Sequence, residues 1–263
     1  MFPTKRRYYP RNLAVASTRG KDVYEFLVVW NHEIPSLPRI LEVFSKHKAK
    51  VLLAHSQVEE KTGSVIGTFF YDLAEADEDA EGIRKEIKKL SFVRDAEVAS
   101  TENSLFDKFL FPVTVWGQQR VLVMRLNPLL NIESRLKRDL GSAGLAIMFR
   151  EGEGYATETV AQYREVLGSV TRESLLENII DGLRATGWGI FEFRTTKEGY
   201  EVIVQEAPVI EGMTEPSRFV CGIVGGVIES VYGIKVKVVE SDIDRKSGEA
   251  RMKFEKTPDS PQS

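Results

Sequence analysis

Between Tyr24 and Ala99 the periodicity of apolar residues switches from two to helical and back again, and this succession restricts the fold more than any other feature of the chain. Tyr24–Trp30 (YEFLVVW) alternates and is rich in aromatic and β-branched residues, which predicts a strand. Pro35 at a first helical turn, then Leu37, Ile40, Leu41 and Phe44 on one face, predict a helix ending near His47. Lys50–Val58 and Ser64–Leu73 read as two strands joined by the turn residues Glu60-Lys61-Thr62-Gly63. Helical spacing returns over Asp77–Leu90 through Ala80, Ile83, Ile87 and Leu90, and Phe92–Ala99 supplies a fourth strand. Strand, helix, strand, strand, helix, strand is the ferredoxin-like βαββαβ order.

The pattern changes after residue 100. Thr101–Phe111 is polar and then aperiodic, which predicts a linker over 101–111. Val113–Trp116 and Arg120–Arg125 are expected to pair around Gly117, followed by two or more helices over Pro128–Gly168 with interruptions at Gly141, Gly144, Gly152 and Gly154. Thr171 caps a further helix carrying Leu175, Leu176, Ile179, Ile180 and Leu183 up to Gly187. Trp188–Thr195 and Tyr200–Glu206 form a hairpin, Ser217–Val231 a helix, and Ile234–Glu240 with Glu249–Glu255 a last strand pair. The fold class is therefore α+β: a ferredoxin-like domain over 23–100, then a mixed domain over 112–256 with antiparallel strands and several helices. Residues 1–22 form a flexible basic arm and 257–263 a disordered tail.

A chain of 263 residues with 36 basic and 39 acidic side chains has no general attraction for nucleic acid or an anionic membrane. Lys5, Arg6, Arg7 and Arg11, among Tyr8 and Tyr9, are the local exception, a solvated terminus or a phosphate-touching tail. Direct nucleic-acid binding is not expected. No stretch reaches the ~20 apolar residues of a membrane span or shows a secretory core, which predicts a cytoplasmic protein without membrane contact. Cys221 is the single cysteine, so no internal disulfide or multi-cysteine metal site is available.

The loop Asn31-His32-Glu33-Ile34-Pro35-Ser36-Leu37 resembles the start of ACT regulatory domains, in which an Asp or Asn precedes a Pro-Gly-x-Leu-like helix start. The resemblance runs over Tyr24–Ser100 and implies a small ligand, commonly an amino acid, where this loop meets a strand of a paired domain. A carboxylate suits unpaired N–H groups at a helix start. Asn31, Ser36 and Leu37 border that position, with Leu53, Ala54 and His55 as second-strand candidates. Ser36 stands where the family has Gly, and a domain that only dimerises through sheet edges is the alternative.

The segment Phe219–Phe254 resembles the end of the 4-vinyl reductase domain, through Cys221, Gly222, Gly225, Gly226, Gly233, Glu240, Gly248, Glu249 and Phe254. Ile243 and Met252 stand where metal-binding members carry further cysteines, so no metal site is expected. The resemblance implies a pocket for a small hydrophobic or aromatic molecule. Phe149, Tyr155, Tyr163, Trp188, Phe191 and Phe193 are candidates to line it, although the same aromatic set describes a core.

Catalytic signatures do not emerge. Gly222-Ile223-Val224-Gly225-Gly226 lacks the Lys-Ser/Thr ending of a phosphate loop and suits helix packing instead, and His32, His47 and His55 form no His-Glu-x-x-His pair. No cofactor is predicted. The expected function is a non-catalytic, homodimeric sensor of an amino acid or a hydrophobic metabolite. The alternatives are a reductase-type enzyme and an assembly module without a small ligand.

Overall fold

A computed structural model describes residues 22–31, 36–59, 62–101, 107–110, 113–115, 119–208, 215–244 and 249–257. The basic arm (apart from Asp22), most of the C-terminal tail, His32 to Pro35, Glu60, Lys61, Trp116, Gly117 and Gly248 lie outside them. The chain divides into two compact units between Leu122 and Val123. Both are α+β with antiparallel sheets.

In the first unit β1 (Val23–Asn31), α1 (Ser36–Lys46), β2 (Lys50–Glu59), β3 (Ser64–Asp72), α2 (Ala80–Lys88) and β4 (Val93–Ser100) form a sheet of order β2-β3-β1-β4, the ferredoxin-like arrangement. Period-two alternation puts Phe26, Val28 and Trp30 on the face that the helices cover, against Ile40, Phe44, Ile83 and Ile87. The Phe44 ring stacks on Tyr71 at 3.9 Å between centroids. A Cβ at Gly67 would lie 2.8 Å from the Trp30 ring, so only glycine lets that indole into the layer. The second helix begins at Ala80, later than the apolar spacing predicts, because Asp79 caps it by accepting the Gly82 N–H at 2.6 Å. His47 closes the unit at the far end of α1, lying 2.9 Å from Asp77 and 2.8 Å from Glu86.

The other face of this sheet is covered at its centre by residues 107–110. Lys108 donates its backbone N–H to Glu25 Oε2 at 2.9 Å, and Asp107 accepts from the Thr68 hydroxyl at 2.9 Å and from the Phe109 and Leu110 amides. Glu25, Thr68 and Phe70 on this face are buried. The strand pair expected over 113–125 is much shorter: β5 (Thr114–Val115) pairs with β6 (Gln119–Arg120), and Leu122 to Arg125 join no strand and are exposed.

The second unit contains α3 (Leu126–Leu140), α4 (Ser142–Leu167), α5 (Arg172–Ala185), β7 (Ile190–Thr195), β8 (Gly199–Gln205), α6 (Arg218–Tyr232), β9 (Val236–Asp244) and β10 (Glu249–Lys256). Its sheet has the order β7-β8-β10-β9. Of the four glycines expected to interrupt the helices, only Gly141 does so, at φ 60°, and α4 runs unbroken through the other three. The reason is packing: α4 crosses α6 so closely that a Cβ on Gly152 would sit 2.1 Å from the Phe219 carbonyl, and one on Gly222 2.0 Å from that of Phe149. The glycine cluster of α6 is thus a helix-crossing surface. Apolar on all sides, α6 forms the centre of the core with Val202, Val204, Met252 and Phe254 from the sheet. Its first turn is capped from α3, where buried Glu133 accepts the Ser217 hydroxyl at 2.5 Å and the Arg218 N–H at 2.6 Å.

Candidate functional site

The ferredoxin-like unit brings three polar side chains together at the end of β1. Strand β4 carries a bulge: Trp30 faces Val93 and Val29 faces Asp95, so Arg94 has no partner on β1 and its side chain is re-aimed. The Arg94 guanidinium donates from Nε to Asn31 Oδ1 at 2.6 Å and from Nη1 to Ser64 Oγ at 2.5 Å. Both partners are neutral, and among the described residues no carboxylate lies within ion-pair distance of Arg94. Two hydrogen bonds hold a charged fork with donors to spare, a geometry suited to a carboxylate or phosphate. Asn31 is therefore part of a cationic corner, and Arg94 and Ser64 are members that the linear pattern did not reveal. A bulge has no signature in apolar periodicity.

The other expected residues of this unit are dispersed. Ser36 is buried at the start of α1 and Leu37 packs partly on the core. Leu53 lies opposite Phe70, which lies opposite Glu25, whereas Asn31 lies opposite Ser64. Leu53 is thus six residues along the strands from Asn31, roughly 20 Å at the rise of a β-strand. Within one chain His55, which lies opposite Thr68 and so level with Leu27, is likewise four residues along the strands from Asn31. Ala54 and His55 are exposed on β2, an edge strand on which no residue is buried. A hollow of about 390 Å³ elsewhere in the unit is rimmed by Asp22, Asp77, Glu78 and Asp79, a lining that repels anions.

Two titratable groups in this unit are strongly influenced by their surroundings. Burial pushes the Glu25 carboxyl up to about 8, with the Lys108 N–H opposing and the Asp107 charge reinforcing the rise. His47 is held above its ordinary value, first by its hydrogen bond to Glu86 and also by that to Asp77. These effects concern the folding of the unit. His47 lies at the end of α1 opposite its Ser36 start.

In the second unit the six expected aromatic residues fall into two groups. Phe191 is buried in the core, and Phe149, Tyr163 and Phe193 pack against it. Tyr163 lies over Gly182, where a Cβ would meet its hydroxyl. Tyr155 and Trp188 do come together, at 5.9 Å between ring centroids, and Phe219 joins them at 6.1 and 5.4 Å. Phe219 precedes the glycine cluster of α6, and its place in this trio depends on the α4–α6 crossing.

The resemblance at the C-terminal end rests on residues with structural roles here. Cys221 has no solvent exposure, and burial pushes its thiol up to about 12, far from the thiolate that a nucleophile or metal ligand needs. Glu240 is ion-paired with Lys253 across β9 and β10, and Met252 is a core side chain. Among the described residues no three His, Cys, Asp or Glu side chains are grouped so as to hold a metal ion. No helix among them is long and apolar enough to cross a membrane.

No protein family matches the chain, and no curated protein matches its sequence. Solved structures align with parts of it at low identity. The phenol-responsive sensory domain of the transcription activator PoxR, solved with phenol, aligns over 53% of this chain and 78% of its own, at 13% identity and a TM-score of 0.44. The ACT domain of a GTP pyrophosphokinase from Chlorobium tepidum aligns over 30% of this chain and 99% of its own, at 11% identity and a TM-score of 0.26. A formyltetrahydrofolate deformylase from Pseudomonas putida KT2440 aligns over 30% of this chain and 28% of its own, at 14% identity and a TM-score of 0.27.

Proposed function

We propose that the chain is a non-catalytic, cytoplasmic regulatory protein that binds small molecules and works as a homodimer. The cationic corner at the end of β1 carries this reading: Arg94, fixed by Asn31 and Ser64 and without an acidic partner among the described residues, is prepared for an anionic group. An amino-acid-like metabolite presents such a group in its carboxylate. The core role of Cys221 also favours binding over chemistry.

Homodimer formation is supported by β2. Its outer edge has no partner strand among the described residues, and Val51 and Val58 are 58% and 50% exposed. If the two-fold axis passes at His55, pairing with a second copy sets Lys50 opposite Glu59 and Val51 opposite Val58, which is complementary in charge and in apolar character.

Native mass spectrometry of gently purified protein, followed by denaturation and identification of released molecules, tests the proposal. A dimer carrying a stoichiometric metabolite, lost in an Arg94→Ala variant, is the expected result. A protein that retains nothing and binds none of the free amino acids or common metabolic acids in subsequent titrations overturns it. Regulation then requires that the ligand favour one state of the dimer over another.

A further inference from the structure

A cleft of about 550 Å³ in the second unit is lined by none of the residues that the sequence nominated for ligand binding. Its walls are the ends of two helices and the start of a third. Helix α4 ends at Leu167, and Gly168 turns the chain at φ 65° with its N–H on the Arg164 carbonyl at 3.0 Å. Helix α6 ends at Tyr232, and Gly233 turns it at φ 71°. Left-handed backbone at both positions favours glycine, and a Cβ on either would meet nothing within 4 Å, so the volume between the helix ends is open.

The lining is divided chemically. Leu175 and Val231 are buried and form the apolar floor, and half-buried Tyr232, stacked on Tyr200 at 5.2 Å, adds an aromatic wall. Arg164 and Arg172 stand at the rim. Arg164 is oriented by donating from Nη2 to the Ser230 carbonyl at 2.6 Å, which leaves most of its donors unused. Among the described residues neither arginine has a carboxylate within ion-pair distance. The Glu173 charge also reaches Tyr232, but the two guanidinium groups stand outside any ion pair among the described residues and above an apolar floor, a surface that complements an amphipathic anion.

We propose that this cleft binds a small amphipathic anion, an aromatic or short-chain carboxylic acid whose carboxylate lies between Arg164 and Arg172 and whose apolar body rests on Leu175, Val231 and Tyr232. The volume is in the range of small-molecule sites, roughly 300 to 1,000 Å³. The bidentate fork of arginine supplies orientation, and the floor selects against inorganic anions. This assignment rests on the small-molecule reading of the protein but places a site in the second unit, independent of the corner at Arg94.

The test is a titration of the full-length, isotope-labelled protein with phenylacetate, followed by amide NMR, with benzyl alcohol and inorganic phosphate as separate controls. Phenylacetate is expected to produce saturable shifts at residues 168–172 and 230–233. Arg172→Glu, at an exposed position, should weaken it by about tenfold or more, the loss of a charge-assisted contact. Benzyl alcohol should bind more weakly because it lacks the charge, and phosphate because it lacks the apolar body. Equal binding by either control overturns the assignment without recourse to a variant, as do phenylacetate shifts confined to other residues. Binding of free amino acids at the Arg94 corner together with no response at the cleft sinks this inference alone. Absence of any ligand anywhere removes the regulatory reading with it.

Discussion

Replacing Glu25 with Gln isolates the electrostatic cost built into the first unit. Glu25 has no solvent exposure, and its carboxyl is raised from 4.5 to about 8, chiefly by burial. The folded chain therefore keeps this proton up to about pH 8, whereas the unfolded chain releases it near 4.5. Across that window the unfolded state binds fewer protons, so stability falls as pH rises. The slope is about 1.4 kcal/mol per pH unit, which accumulates to about 5 kcal/mol, and it levels off above the folded value. Gln retains a carbonyl oxygen for the Lys108 N–H and cannot ionise. Wild type and Glu25→Gln should be similar near pH 4.5, and the variant should be more stable by about 3 kcal/mol at pH 7. Urea unfolding read by hydrogen exchange of β1 and β3 peptides, at intervals between about pH 5 and 8, measures the first unit without interference from the second. If the difference between the two proteins does not grow with pH, Glu25 is ionised in the folded state and the reasoning is refuted.

Gly222→Ala should cost at least about 2 kcal/mol, because its Cβ would be driven into backbone at the α4–α6 crossing rather than into a movable side chain. Thermal unfolding checks it, with Gly154→Ala, where a Cβ meets nothing within 4 Å, as the tolerated control. Cys221 should resist thiol reagents in the folded protein and react fully in denaturant, since its thiol is buried and raised to about 12. Rapid labelling under native conditions, read by mass spectrometry, would show that α6 opens.

Local periodicity determined most of the architecture. Alternation over Tyr24–Trp30 and the one-sided spacing of Ile40, Phe44, Ile83 and Ile87 specify which faces are buried, and for a βαββαβ order that leaves few topologies. The glycines of α6 were legible as packing residues for a similar reason: a helix that is apolar all round must be enclosed. The two proposed sites were not legible in this way. Asn31 was a candidate in the linear pattern, but Arg94 reaches it through a bulge, and Arg164, Arg172 and Tyr232 border one cleft only because three helix ends converge there. The dispersal of Leu53, Ala54 and His55 from Asn31 likewise follows from strand register. Side-chain patterning along a chain encodes whether a position faces the core, because burial is decided residue by residue. Which distant polar groups meet is decided by crossings, bulges and register, and these exist only once the elements have packed.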